Sequence, residues 1–371
     1  MKQKNFLVTV LIFILVFSSS CGKLQKNENK NTQQNIERAF DINAAKNVVD
    51  LYLNYLIKED YKNAMKYYSK EMINKKMDIK STPLKVKGYN IEDINQVGKG
   101  GVFKLKVART NLSEPFATLD ECIIKINKED ENYKIVDIKS NTEGEAFIQK
   151  NKIRVRKESN ADTNLLIDLS GIPQYAFPKD DKLAMNKLII PKKNYGAMAF
   201  SYSGNSVAIS TYDNNSFAGI VKLDESKSVQ GQENGGATGE GNQGQQQGQE
   251  SQGDMIKEQP LGKEIIELDI LIDSKIEYMT FSQDEKFILL QYNKDKNKRS
   301  IRIYNADSGE IIPFKFEEKF PLDKVRVIFS SFDEKSVNVR VVPVDDKDKN
   351  LKKFIGNWQL NLKDYKCKKV Q

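Results

Sequence analysis

The chain has 371 residues, a length typical of two or three domains, and its 59 Lys and Arg against 51 Asp and Glu give a net charge of +8. It contains no histidine, which excludes Ser-His-Asp triads, Cys-His pairs and histidine-containing zinc sites. The positive charge is spread along the chain, whereas a nucleic-acid binder concentrates it on one face. We therefore expect a non-enzyme with no catalytic residue, no cofactor, no metal site and no nucleic-acid partner.

The first 21 residues have the layout of a secretory signal. Lys2 and Lys4 precede an apolar stretch, Phe6 to Phe17, that is shorter than the roughly 20 residues needed to span a bilayer. Three serines then lead into Cys21. This arrangement resembles the lipobox of bacterial lipoproteins, although the first serine stands where that family prefers an aliphatic residue. The resemblance implies a lipid-modified Cys21 at the mature N-terminus, and the alternative is an ordinary signal peptide cleaved nearby.

Residues 22–40 are rich in Asn, Gln and Lys and have almost no apolar content. Such a segment cannot bury enough surface to fold on its own. As a flexible coil it has a typical end-to-end distance of about 25 Å. We expect it to be a tether between the lipid and the folded part of the chain.

Residues 41–140 combine a helical pattern with a strand pattern. Asp41 is a candidate N-cap for a helix that begins near Ala44. Two apolar stripes at helical spacing predict that helix and a second, short one. Their members are Ala45, Val49, Tyr52, Leu53 and Leu56 in the first, and Tyr61, Ala64, Met65 and Tyr68 in the second.

Strands follow in the second half of this segment. Phe103, Leu105 and Val107 alternate with Lys104 and Lys106, which predicts a half-buried strand with the lysines facing outwards. The glycine-rich stretch 98–101 before it predicts a turn. Further strands are expected at 115–126 and 133–138. Helices followed by an antiparallel sheet indicate an α+β cone.

The stretches Val48–Leu53, Lys58–Ala64 and Tyr67–Ser69, closed by Tyr133–Ile138, resemble the nuclear-transport-factor-2-like superfamily. The resemblance implies an NTF2-like cone over 41–140. Some relatives are small-molecule enzymes that use an Asp or a His–Asp pair inside the cone. Here Asp60 lies at a helix start, where we interpret it as an N-cap, and we interpret the tyrosines as core residues.

Residues 150–371 contain a threefold repeat. Each unit is a strand that ends in Phe-Ser, then a polar turn, then a second apolar strand. The first strands are Met198–Gly204, Met279–Glu285 and Val327–Asp333, and the second strands are Val207–Ser210, Phe287–Tyr292 and Val337–Val342. Several strands per unit at a period of roughly 50 residues fit the blades of a β-propeller.

The middle unit continues with Ile301–Ile312, a strand, an Asp-x-Gly turn and a strand. This resembles the outer hairpin of WD-repeat and TolB-type propellers. Trp358–Leu362 takes the same place in the third unit. In the first unit, Gly219–Asp224 and Lys263–Leu268 match the strands on either side of that turn. The resemblance implies a propeller-like all-β region.

The stretch 225–262, between the two strands of that first hairpin, is dominated by Gly, Gln, Glu and Ser. Low complexity of this kind predicts a disordered insert. A closed propeller usually needs at least four blades. Residues 152–192 would have to supply the fourth, and the alternative is an open β-meander.

Four cations, Lys150, Lys152, Arg154 and Arg156, recur at every second position, with Ile153 and Val155 between them. Period two places alternate side chains on one face of a strand. We interpret the cations as a candidate surface for anionic lipid or wall polymer. The alternative is a solvated strand face between the two folded regions.

These patterns together predict a lipid-anchored, extracytoplasmic protein of the cell membrane. Its function would be that of a non-catalytic binding or assembly module in the cell envelope, with an envelope protein or an anionic wall polymer as partner. The alternative is a small-molecule sensor or a carboxylate-dependent enzyme that uses the NTF2-like cavity. A cone filled by its own side chains would favour the binding module.

Overall fold

The computed structural model describes residues 40–75, 82–157, 162–181, 183, 185–224, 258–294, 298–345 and 348–370. The signal, Cys21, all of the tether except Phe40, and residues 225–257 of the insert lie outside this part of the chain. The described residues from Phe40 onwards belong to one compact unit. The described part of the chain is mostly β, in antiparallel sheets, with three short or medium helices near its N-terminal end and one short helix at Phe316–Lys319.

The first helix begins where the capping pattern predicts. Asp41 accepts hydrogen bonds from the backbone N–H groups of Asn43 at 2.9 Å and Ala44 at 3.2 Å. All five residues of the predicted apolar stripe are buried. Asp60 caps the next helix through the N–H of Asn63 at 3.2 Å, which confirms its predicted role. The helices are α1 Ile42–Ile57, α2 Tyr61–Ala64, α3 Lys70–Asn74 and α4 Phe316–Lys319, with 3-10 turns at Met65–Tyr67 and Lys349–Lys353.

Six antiparallel strands in chain order form the first sheet, and α1 packs on its first four strands. The strands are β1 Leu84–Val97, β2 Gly100–Asn111, β3 Phe116–Glu129, β4 Asn132–Gln149, β5 Lys152–Lys157 and β6 Asn164–Asp168. The predicted strands correspond to β2, β3 and β4, while β1 was not predicted. Lys106, predicted to face outwards, is 9 % exposed because Glu143 and Glu121 pair with it.

This sheet runs through the expected boundary between the two folded regions. Strand β4 crosses residue 140, and β5 and β6 extend the same sheet. Strand β5 pairs with β4, and β6 pairs with β5 with one register shift between Ile153 and Arg154. Residues 152–168 therefore do not supply a propeller blade. The remainder of the expected fourth blade holds a two-stranded sheet, β7 Tyr175–Ala176 and β8 Leu188–Ile189.

Three antiparallel sheets follow, each with its strands in chain order, which confirms an all-β region of repeated units. The first contains β9 Asn194–Phe200, β10 Ser206–Tyr212, β11 Ser216–Leu223 and β12 Gly262–Leu271. The second contains β13 Ser274–Phe281, β14 Phe287–Lys294 and β15 Lys298–Asn305. The third contains β16 Val325–Asp333, β17 Ser336–Pro343, β18 Gly356–Asn361 and β19 Cys367–Val370.

The repeat is confirmed in the first two sheets and modified in the third. There β16 continues through Ser330 and Ser331 to Asp333, because a register shift after Phe329 keeps it paired with β17. In the second sheet the expected outer strand is reduced to one bridge between Tyr304 and Ile311. The insert also ends earlier than predicted: Leu261 is 4 % exposed and Gly262 begins β12.

The first strands of the three sheets face the N-terminal part of the chain. Strand β9 contacts β2 and β3, strand β13 contacts β1 and β2, and α1 contacts β16. One hydrophobic core joins α1 and the first sheet to β16 and β17. Cys122 lies in this core, and burial raises the pKa of its thiol to about 11. Both Cys122 and Cys367 are free thiols.

Strand β1 approaches the repeated sheets closely at Gly88. Thr280 Oγ1 donates to the carbonyl oxygen of Lys87 at 3.0 Å, and Tyr202 Oη donates to the carbonyl oxygen of Phe281 at 3.1 Å. A Cβ atom on residue 88 would overlap the Tyr202 hydroxyl and lie 2.6 Å from Thr280 Oγ1. Only glycine fits this contact.

Beside Gly88, the Lys87 side chain is buried between the two parts of the protein. Its ammonium pairs with Glu59 Oε1 at 3.0 Å and lies 4.7 Å from the centre of the Tyr278 ring. Burial opposes ionisation of Glu59, but the nearby ammonium groups of Lys87 and Lys85 hold the pKa of its carboxyl below the usual value. We call this set, Glu59, Lys87, Gly88, Tyr202 and Thr280, the β1 junction.

Substitution Gly88→Ala is expected to lower the free energy of unfolding by about 2–3 kcal/mol, because the added methyl group displaces Tyr202 and Thr280. Urea denaturation monitored by circular dichroism measures this change. Adding Tyr202→Phe removes the overlapping oxygen and should recover about 1 kcal/mol. Equal stability of Gly88→Ala and the wild type would show that β1 does not approach β13 this closely.

Candidate functional site

A cavity of 740 Å³ lies where the first sheet meets the first two repeated sheets. Four chain segments and two single residues line it, and we call it the junction cavity. The segments are the β2–β3 loop, the start of β9, the β10–β11 turn, and the β12–β13 turn with the strand after it. The single residues are Asn293 on β14 and Arg299 on β15. The volume suits a small molecule or a short peptide segment.

Side-chain hydrogen bonds hold the loops that surround the cavity. Asn111 accepts from the N–H of Ser113 and donates to Glu114, both at 2.9 Å. In the β10–β11 turn, Asp213 Oδ1 accepts from the N–H of Asn215 at 2.9 Å, and Asn215 Oδ1 accepts from the N–H of Asp273 at 3.0 Å. Asn215 therefore fixes two cavity-lining turns relative to each other.

The walls of the cavity carry both signs of charge. Arg299 pairs with Glu277, and the Lys275 ammonium lies 4.6 Å from the centre of the Tyr212 ring. Tyr195 closes one side, and its hydroxyl donates to the carbonyl oxygen of Asn151 at 3.0 Å. Burial raises the pKa of Tyr195 to about 12, so the hydroxyl stays a donor at neutral pH.

Three carboxylates at the cavity, those of Glu114, Asp213 and Asp273, have no ion-pair partner within the described part of the chain. Asn293 Oδ1 is buried at the wall and accepts no hydrogen bond there. Glu277 and Arg299 neutralise each other. The three carboxylates then carry more negative charge than the positive charge of Lys275. The cavity is therefore acidic and offers acceptors to a ligand that carries positive charge or N–H groups.

A second set of buried charged groups is bonded within the protein around Asp269. Asp269 Oδ1 accepts from the N–H of Lys179 at 2.8 Å, and its Oδ2 accepts from Arg302 at 2.9 Å and Tyr304 at 2.6 Å. Arg302 also donates to Glu317 at 2.8 Å. These groups connect β12, β15 and α4 and hold the sheets together, and the second oxygen of Glu317, Oε2, is buried without a hydrogen bond.

The four cations predicted as a surface are not equivalent in the structure. Lys152, Arg154 and Arg156 do share one face of β5, with Ile153 and Val155 buried on the other. Lys150, the fourth cation, does not lie on this strand. Its φ of 49° breaks the extended conformation and places it in the β4–β5 turn.

Two of the four charges are neutralised within the protein. Arg154 binds both carboxylate oxygens of Glu258, at 2.6 and 2.9 Å. Arg156 lies 2.8 Å from Glu145. Lys150 and Lys152 have no ion-pair partner among the described residues. Binding of an anionic surface stays a prediction, and the geometry leaves Lys150 and Lys152 as its strongest candidates.

The junction cavity was missed by the sequence analysis because loops from distant positions form it. The sequence shows only polar residues typical of turns at these positions, which are Asn111–Glu114, Asp213–Asn215 and Asp273. Such residues do not by themselves indicate a binding site. Within the described ranges, no group of three or more Cys, Asp or Glu side chains is placed to hold a metal ion. No helix in those ranges is long and apolar enough to cross a membrane.

No family model and no curated protein sequence matches the chain. Solved structures that overlap with it include an acylaminoacyl peptidase of Pyrococcus horikoshii, at 11% identity and a TM-score of 0.25, over 77% of this chain and 33% of the peptidase. The β-propeller domain of the Trilobed protease of Pyrococcus furiosus overlaps at 10% identity and a TM-score of 0.25, over 77% of this chain and 84% of the domain.

Prolyl oligopeptidase B of Galerina marginata overlaps at 7% identity and a TM-score of 0.29, over 74% of this chain and 34% of the peptidase. The chain thus spans about a third of the length of the two peptidases. At these TM-scores the likeness carries no argument about the activity of this chain.

Proposed function

We propose that the protein is a lipid-anchored, extracytoplasmic lipoprotein that acts as a non-catalytic binding or assembly module in the cell envelope, with the junction cavity as its binding site. The observation that carries the binding site is the acidic cavity itself. Its carboxylates Glu114, Asp213 and Asp273 are held by loop geometry and have no ion-pair partner in the described residues. The signal pattern that ends at Cys21 motivates the location.

Packing in the N-terminal part supports a binding module over the small-molecule sensor or enzyme. Side chains of the helices and the first sheet fill the space between them. Tyr52 and Tyr68 meet there with their hydroxyl oxygens 3.2 Å apart, and each is 5 % exposed. The buried carboxylate of Asp120 is bonded to Arg109 at 2.6 Å and Thr142 at 3.0 Å. Neither the tyrosines nor Asp120 is placed to meet a substrate.

The charge of the cavity favours a positively charged segment of an envelope protein as ligand. Complementary charge increases the association rate and orients the partner. Each carboxylate in a partly solvated cavity contributes a modest part of the binding free energy. Removal of two of these charges is therefore expected to change the affinity by about tenfold. A negatively charged ligand, such as an anionic wall polymer, would have to bind at Lys150 and Lys152 instead.

A tetralysine peptide is expected to bind the wild type and to bind the variant Asp213→Asn/Asp273→Asn about tenfold more weakly. Asparagine keeps the oxygen that accepts from Asn215 N–H, so the turn is preserved. Isothermal titration calorimetry measures the affinity. The matched control, Asp130→Asn/Glu131→Gln in the exposed β3–β4 turn, changes net charge equally. Equal loss in both variants, or no binding by the wild type, contradicts the proposed ligand class.

Lipidation at Cys21 is tested in cells grown with a clickable fatty acid. The wild type and a Cys367→Ala control are expected to be labelled and to fractionate with membranes. The Cys21→Ala variant is expected to lose the label, because the thiol is the proposed attachment point. Equal labelling of all three proteins would exclude Cys21 as the lipidated residue.

A further inference from the structure

The two-stranded sheet β7–β8 carries an unusual concentration of exposed apolar side chains. Among the described residues, eleven large hydrophobic side chains are exposed, and five of them fall between positions 175 and 189. They are Tyr175 at 38 %, Phe177 at 41 %, Leu183 at 77 %, Met185 at 75 % and Ile189 at 69 % exposure. We call this set the apolar hairpin surface.

Both faces of this hairpin are apolar. Ala176 and Ile190 are buried against the core that contains Ile153 and Val155. Tyr175 and Ile189, which pair across the two strands, point the other way. A sheet with one face on the core normally presents polar residues on the other. The outer face of the hairpin is thus left without a partner within the described residues.

Hydrogen bonds fix the hairpin to the rest of the protein. The Lys192 ammonium, just after β8, donates to the carbonyl oxygens of Leu169 at 2.9 Å and Ile172 at 2.6 Å. After β7, the backbone N–H of Lys179 donates to Asp269 Oδ1 at 2.8 Å, and within the hairpin Asp181 accepts from the backbone N–H of Asn186. The exposed side chains are therefore presented from a fixed base.

Lysines border the apolar side chains. The Lys187 ammonium lies 4.6 Å from the centre of the Tyr175 ring, and Lys193 is exposed beside β9. Tyr195, two residues further, binds the carbonyl oxygen of Asn151 and so brings the turn that carries Lys150 next to this border. These three lysines have no ion-pair partner among the described residues.

Among the acidic groups of the same region, Asp180 pairs with Arg302 and Lys315. Asp168, Asp181 and Asp213 have no ion pair among the described residues, and Asp213 shares a surface pocket with Ile189 and Lys193. Lys150, Lys187, Lys192 and Lys193 outnumber these three carboxylates, so the border is weakly positive around a centre of aromatic and aliphatic side chains. An anionic bilayer surface complements this pattern, since apolar side chains enter the boundary between headgroups and acyl chains while lysines reach the phosphates.

We propose that the apolar hairpin surface is a docking site for an anionic lipid bilayer. Leu183, Met185 and Ile189 enter the interfacial region, and Lys187 and Lys193 contact headgroup phosphates. The proposal rests on the proposed membrane location of the protein. The hairpin then sets which side of the protein faces the lipid.

The test uses residues 22–371, which lack Cys21 and hence any lipid, so that only the folded part can bind. Sedimentation with vesicles of equal parts phosphatidylcholine and phosphatidylglycerol measures the partition coefficient. The wild type is expected to bind. The variant Leu183→Ser/Met185→Ser/Ile189→Ser is expected to bind at least about tenfold more weakly, because three apolar side chains are lost.

The matched control replaces three exposed apolar residues elsewhere, Ile73→Ser/Val97→Ser/Ile272→Ser, and is expected to bind like the wild type. Lys187→Gln/Lys193→Gln should weaken binding, and higher salt should reduce the difference. Thermal unfolding checks that all variants are folded. Absence of wild-type binding, or equal loss in the hairpin variant and the control, would overturn the proposal.

Sedimentation velocity without vesicles tests whether a second copy of the chain, and not a bilayer, covers the apolar hairpin surface. A wild-type dimer that the hairpin variant fails to form, together with no vesicle binding, would assign the surface to a second copy of the chain and overturn membrane docking. Since these experiments involve neither Cys21 nor a cavity ligand, their failure leaves lipidation and ligand binding at the junction cavity to their own tests.

Discussion

The close approach of strand β1 to β13 at Gly88 is the contact on which the rest of the structure depends. Because residue 88 has no side chain, Thr280 reaches the backbone of β1, and Tyr202 packs over it. The same approach buries the Lys87 ammonium between Glu59 and the Tyr278 ring. Tyr278 also lines the junction cavity, so the position of β1 determines where the cavity wall lies. Removing the Lys87 charge from water is costly, and its contact with the partly exposed Glu59 carboxylate offsets part of that cost.

A second polar contact of the same type joins the repeated sheets. Asp269 on β12 meets Arg302 and Tyr304 on β15, and every oxygen of its carboxylate is bonded. Loss of one partner would leave a buried charge uncompensated, which generally costs about 3–5 kcal/mol. The junction cavity differs from both contacts because Glu114, Asp213 and Asp273 keep their acceptors unsatisfied by any cation in the described chain. That contrast separates groups used for folding from groups available to a ligand.

Local patterns predicted local structure well, and long-range contacts account for the differences. The cap at Asp41, the apolar stripe of α1 and the alternation of Ile153 and Val155 all depend on neighbours in sequence. Strand β1 was missed because Lys85 and Lys87 occupy buried positions, where Glu59 in the α1–α2 turn pairs with both ammonium groups. Tyr61 and Tyr278 also contact them, and none of these three residues is close to β1 in sequence. The sequence showed the cations of β5. It did not show that Glu258, about a hundred residues away, neutralises Arg154. The cavity has no sequence pattern, since its walls are turns brought together by the fold.

The first sheet and the three repeated sheets form one cooperative unit, held together at the β1 junction. Differential scanning calorimetry of residues 22–371 tests this most directly. A single transition, with calorimetric and van't Hoff enthalpies that agree, is the predicted result. Two separate transitions, or a calorimetric enthalpy well above the van't Hoff value, would contradict it by showing that the N-terminal part and the repeated sheets unfold independently.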